Sequence, residues 1–163
     1  MYNNKIIPFL CFFVFCTFMS CNSDKSSEQW RLENQAAYDA VKVNPAWKPL
    51  NTGDGPTGIY YQNLTPGINI EGECPIETAA VTVNYTGRYY DDRIFDSGIR
   101  STFVVNEVVR GFSATLQQMH IGQRWKVCIP YYLGYGYVGS YTMQGYTTLF
   151  FEIELLQINQ YPK

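Results

Sequence analysis

With 163 residues the chain has room for one ordinary domain, and a targeting segment would shorten it further, so a second independent domain is not expected. Its formal net charge is −2. Without a concentrated basic surface it has nothing to hold a nucleic acid backbone, so nucleic acid is excluded as a partner.

Residues 1–20 read as an export signal. A single Lys5 precedes the uncharged run from Ile6 to Met19, which is shorter than the roughly 17–25 residues of a transmembrane helix and carries Pro8 near its start. The run ends at Ser20-Cys21, a junction that resembles a bacterial lipobox, in which a small residue precedes the cysteine that receives diacylglycerol. Phe18 and Met19 are bulkier than the usual residues there. Cys21 is the expected lipidation site, and the membrane is an expected partner through that lipid. The expected location is the bacterial cell envelope, as an outer membrane lipoprotein facing the periplasm or the cell surface.

Residues 21–57 read as a lipid-anchored tether with a short helix and a loop. Ser26 with Gln29 three residues later suits a capping box, and Trp30, Ala37 and Val41 recur near the helical period, which predicts a helix from Ser26 to about Val41 with a thin apolar face. Between Asn44 and Gly58, Pro, Gly and Asp mark a loop.

The folded domain is expected over 58–163, where short aromatic and β-branched runs alternate with turn signals. Ile59–Asn63 is a strand, followed by a turn at Pro66-Gly67. Ala79, Val81, Val83 and Tyr85 alternate with polar neighbours as a half-buried strand does. A short strand is expected around Tyr89 and a brief one at Phe103–Val105, then clear strands at Arg124–Ile129 and Thr148–Ile158. Between them Phe112, Leu116 and Met119 sit at i, i+4 and i+7, and Gly122 closes one short helix. The fold class is α+β, with the helix covering the apolar face of an antiparallel sheet.

Of five cysteines, Cys11 and Cys16 leave with the signal and Cys21 would carry lipid. Cys74 and Cys128 remain, as a disulfide in an oxidising compartment or as two buried small apolar side chains. Their spacing leaves both open.

Several motifs now stand in one order: Val81-Thr-Val-Asn-Tyr85-Thr-Gly87, Phe95-Asp96-Ser97-Gly98, Val108-Val-Arg-Gly111-Phe112, Met119 with Gly122-Gln-Arg124, Ile129-Pro130, Tyr135-Gly136 and Leu149-Phe-Phe151-Glu-Ile-Glu-Leu-Leu156. From Gly58 to Ile158 the chain resembles the FK506-binding (FKBP-type) family of peptidyl-prolyl cis-trans isomerases. The resemblance implies a twisted antiparallel sheet of five to six strands wrapped around one short helix, with proline entering between helix and sheet. It implies Tyr85 as a pocket wall, Phe95 and Asp96 as the aromatic and acidic pair at the opening, and Val108 and Val109 just before the helix. The Val109 N–H would hold a ligand carbonyl. Phe112 matches the floor, Tyr135 a hydroxyl that contacts ligand, and Phe151 the far wall.

Three places depart from the family pattern. Phe112 replaces the usual tryptophan. Gly98–Phe103 is short where relatives place an additional arginine and aromatic. The flap Tyr137–Tyr146 has Met143-Gln144 where relatives carry isoleucine and proline, and Met143 is taken as substrate-binding there.

The chemistry is readable without the family name. A prolyl amide rotates over a barrier of about 18–20 kcal/mol because the C–N bond must lose its double-bond character. No nucleophile or proton transfer is needed. An apolar pocket with fixed donors that binds the twisted amide better than either planar form is the catalyst. Asp96 would orient neighbours and shape the local field. No cofactor or metal is expected, because His120 is the sole histidine and no ligand set surrounds it. Gly134-x-Gly136-x-x-Gly139 spells a dinucleotide pattern but opens no helix of a βαβ unit, so no nucleotide is expected. X-Pro segments of exported polypeptides are the implied partners. The rival function is a lipid-anchored protein-binding or chaperone module of the same fold with little isomerase turnover.

Overall fold

The computed structural model describes residues 26–67 and 72–160. The export signal and the lipidation site Cys21 lie outside the described residues. Six strands, β1 (Lys48–Thr52), β2 (Gly55–Asn63), β3 (Ala80–Arg88), β4 (Ile94–Val104), β5 (Arg124–Ile129) and β6 (Leu149–Gln160), make one antiparallel sheet. Their order across it is β1-β2-β5-β6-β3-β4. Two α-helices pack on the sheet, α1 (Ser27–Val43) and α2 (Arg110–Leu116).

Period-two alternation builds the core. Val81 and Val83 of β3, Ile153 and Leu155 of β6, and Val127 and Ile129 of β5 are wholly buried on one face. Glu152 and Glu154 of β6 point the other way, where the Arg124 Nε donates to Glu152 at 2.6 Å and the Asn84 amide to Glu154 at 2.8 Å. Phe112 and Leu116 of α2 cover the apolar face, together with Met119 beyond its end. The helix sits close because residue 111 is glycine: a Cβ there would meet Ile129 Cγ2 at 2.2 Å. The α+β class and the sheet wrapped on one short helix are as expected.

Four features differ from the sequence reading. The N-terminal helix forms with its cap, Ser26 Oγ accepting the Gln29 N–H at 3.2 Å, but it is docked on the domain. Trp30, Asn34 and Val41 are buried. The attachment runs partly through a polar side chain, Asn34, which apolar periodicity does not register. The stretch read as a loop carries β1 and the start of β2, with the turn completed at Gly55, whose φ of 110° suits glycine. Hence the folded body does not begin at residue 58. There is no separate strand around Tyr89, since β3 runs to Arg88 and a tight turn through Asp92 leads into a long β4.

Cys74 and Cys128 are both free thiols. Cys128 lies on the face of β5 opposite to Val127 and Ile129, near the Tyr38 hydroxyl of α1. Cys74 lies against His120, just past α2, at 3.5 Å. The sheet stands between them, which decides against the bridge. Among the described residues no helix is long and apolar enough to cross a membrane.

Candidate active site

A cavity of about 350 Å³ opens between the start of α2 and the sheet. Phe112, only 4 % exposed, is its floor. Three further rings meet Phe112 edge-on: Phe151 at 5.0 Å between centroids, Tyr85 at 6.1 Å and Phe103 at 6.3 Å. Edge-to-face packing of this kind fixes each ring with few torsions to freeze. The walls are Tyr85, Phe103 and Phe151 from the sheet, Val108 and Val109 from the approach to α2, and Tyr135 from the loop before β6. Val109 is the N-cap of α2, so its carbonyl accepts the Phe112 and Ser113 amides. Among the described residues its own N–H has no protein acceptor.

Two polar groups flank the opening. The Tyr85 hydroxyl donates to Asp96 Oδ2 at 2.9 Å, fixing the carboxylate beside the cavity. Burial, and then the bond to Asp96 and its negative charge, push the Tyr85 pKa up to about 12. The Tyr135 hydroxyl is also raised, first by burial and then by the charge of Asp96. Both phenols therefore remain neutral donors at physiological pH. Glu107 stands on the rim.

Seven of the nine residues expected at the site from the resemblance line this cavity or its opening: Tyr85, Asp96, Val108, Val109, Phe112, Tyr135 and Phe151. Phe95 instead stands behind the wall, its ring held between Tyr89 at 5.2 Å and Phe151 at 5.4 Å. Gly87 makes room for this layer, since a Cβ there would meet Phe95 at 2.5 Å and Phe151 at 2.8 Å. Met143 corrects the expectation of a substrate contact: it is 5 % exposed and packs within the core, because the flap turns back at Gly139 and Gln144 and tucks it inward. Phe103 and Glu107 were not foreseen. Phe103 pairs with the core residue Val81 across β3 and β4, a register that the structure gives and the local sequence does not. Arg100 is exposed at φ 51° with its N–H on Asn84 Oδ1, away from the cavity.

A larger hollow of about 680 Å³ lies on the outer face of the sheet near Asn84, Ser97 and Glu154. Its charged side chains are paired, Arg124 with Glu152 and Glu154 with Asn84, and it has no cluster of rings like the one around Phe112. His120 sits elsewhere again, its Nδ1 3.1 Å from the Gly72 carbonyl. Among the described residues no group of three or more His, Cys, Asp or Glu side chains could hold a metal ion.

The family model for FKBP-type peptidyl-prolyl cis-trans isomerase matches residues 72–156. Among curated relatives, the macrophage infectivity potentiator of Trypanosoma cruzi is 38 % identical over 133 residues, covering 78 % of this chain and 61 % of the relative. The FKBP-type 22 kDa peptidyl-prolyl cis-trans isomerase of Escherichia coli K12 is 36 % identical over 133 residues, covering 78 % and 63 %. The chain thus spans about six-tenths of the length of these relatives. Among solved structures, a peptidyl-prolyl cis-trans isomerase of Pseudomonas syringae pv. tomato superposes with a TM-score of 0.71 at 31 % identity, covering 85 % of this chain and 99 % of that one.

Proposed function

The chain belongs to the family of FKBP-type peptidyl-prolyl cis-trans isomerases, and from that membership we propose that it catalyses cis-trans exchange at X-Pro bonds and so assists folding of exported polypeptides. The observation that carries the reading is the enclosed aromatic floor at Phe112 beside an N–H, that of Val109, with no protein acceptor among the described residues. The proline ring would lie on Phe112 against Tyr85 and Phe151. There the amide leaves water, and the twisted form, whose carbonyl and nitrogen no longer share electrons, loses less by desolvation than the planar forms. The Val109 N–H would hold a substrate carbonyl, and the Tyr135 hydroxyl supplies a second donor at the opposite wall. Asp96, oriented by Tyr85, sets the field at the opening. Each of these contacts acts by differential binding, with no bond made to the protein.

The test is exchange measured by NMR on a panel of X-Pro peptides. Wild type should accelerate exchange over buffer. Phe112→Ala should cost most, with folding checked beside activity because loss of a buried phenylalanine costs about 3–5 kcal/mol. Tyr135→Phe should lower kcat/KM by about 3- to 30-fold if its hydroxyl bonds the twisted state, and His120→Ala should leave it unchanged. A folded wild type without acceleration transfers the proposal to the binding-module reading. Location rests on the N-terminal pattern: Cys21 carries diacylglycerol and holds the domain on an envelope membrane. Mass spectrometry of the native protein would find the mature N-terminus at lipid-modified Cys21, and an unmodified N-terminus elsewhere would end that proposal.

A further inference from the structure

Two parts of the cavity wall lead back to α1. One is the loop that carries Tyr135. Trp30 donates its indole N–H to Thr147 Oγ1 at 3.1 Å, and that hydroxyl donates to the Gln144 carbonyl at 2.6 Å. One turn further along α1, Asn34 is fully buried. Its amide donates to the Trp30 carbonyl at 2.9 Å, which leaves Oδ1 to accept the Thr148 backbone N–H at 2.9 Å. The Thr148 hydroxyl returns a bond to the Asn34 carbonyl at 3.1 Å. From this anchorage the loop folds back on itself: the Tyr146 N–H donates to Gly136 at 2.9 Å and the Gly139 N–H to the Tyr135 carbonyl at 3.1 Å.

The other part is Phe151. The Trp30 ring meets Tyr89 edge-on at 5.5 Å, Tyr89 meets Phe95 at 5.2 Å, and Phe95 meets Phe151 at 5.4 Å. Trp30 and Asn34 of α1 therefore reach the cavity's supports, while Tyr38, further along the same helix, docks on β2 through the Gly58 carbonyl at 2.7 Å. The buried core cluster under α2 contains no residue of α1.

We infer that Trp30 and Asn34 are positioning residues for the isomerase site, fixing the Tyr135 loop by hydrogen bonds and the Phe151 wall by a chain of edge-on and tilted rings. This deepens the isomerase reading and, in its kinetic part, rests on it. A chain of physical contacts is required because neither residue lines the cavity.

The experiment uses the mature chain from residue 21 and two readouts. Amide hydrogen exchange by NMR would compare wild type with Asn34→Ala and Trp30→Phe, and exchange at an Ala-Ala-Pro-Phe peptide would give kcat/KM for each. Asn34→Ala should speed exchange of the Gly139 and Tyr146 amides about tenfold, the scale of one buried hydrogen bond, while β3 and β6 keep their protection. Its kcat/KM should fall about 3- to 10-fold. Trp30→Phe keeps an aromatic ring, though a smaller one, and loses the N–H, so it should show the same pattern more weakly, and it decides the matter if Asn34→Ala does not fold. Unchanged loop exchange overturns the inference, as does protection lost evenly through β3 and β6, which is the signature of a merely structural role. Faster loop exchange with kcat/KM unchanged overturns the coupling. A wild type without isomerase activity defeats the proposed function, and the exchange arm still decides whether α1 holds the loop.

Discussion

Asp96 is aimed by one bond, the hydroxyl of Tyr85 at 2.9 Å. Tyr85→Phe keeps the ring against Phe112 and frees the carboxylate, so kcat/KM for a proline peptide should fall by about 3- to 10-fold with the fold intact. Since burial and Asp96 hold Tyr85 up at about 12 and Tyr135 is raised too, neither cavity phenol ionises near neutrality, and kcat/KM should be flat from about pH 6 to 9. Stability behaves differently. A folded pKa above the unfolded value means that the contribution of Tyr85 is complete below about pH 10 and is lost as pH rises toward 12. The urea midpoint should drop across that window, and less steeply in Tyr85→Phe. The thiols give an independent check: Cys128 is fully buried and burial pushes its pKa up, as it does that of half-buried Cys74. A thiol reagent should modify Cys74 slowly in the native state and reach Cys128 only on unfolding, and two blocked thiols after denaturation without reductant would restore the disulfide.

Helix α2 owes its seat to Gly111, where a methyl group would overlap Ile129. Gly111→Ala should tilt the helix off β5, destabilise the protein by about 1–3 kcal/mol in denaturant titrations, and raise KM as the Phe112 floor shifts. This helix was legible in the sequence because Phe112, Leu116 and Met119 obey the helical period, and β3 and β6 were legible because Val81, Val83, Ile153 and Leu155 obey the strand period. The cavity followed from motifs whose spacing survives in order. What periodicity could not supply was any contact made by polar atoms or by chain reversal. Asn34 docks α1 through hydrogen bonds. Lys48–Thr52 becomes a strand only because β2 is beside it. Met143 turns inward because the flap closes between Gly139 and Gln144. Phe103 escaped because a single aromatic near the end of β4 carries no local sign of which cavity it faces.

Across the whole sheet, β1, β2 and β5 form one half and β3 and β4 the other, and β6 alone joins them by pairing with β5 and β3. A chain ended after Tyr146 should therefore lose cooperative unfolding altogether, as followed by circular dichroism in urea, and a retained sigmoidal transition would show that the halves associate without it. The two outer rims are short or broken. β1 has five residues, includes Pro49 and slips register between Pro49 and Asn51. β4 slips twice against β3 and carries Arg100 at φ 51°. A straight, regular rim is what a foreign strand needs to add on, and neither side provides one. Copies brought to high local density should therefore resist edge-to-edge fibre growth, and thioflavin T fluorescence of the concentrated protein should stay flat.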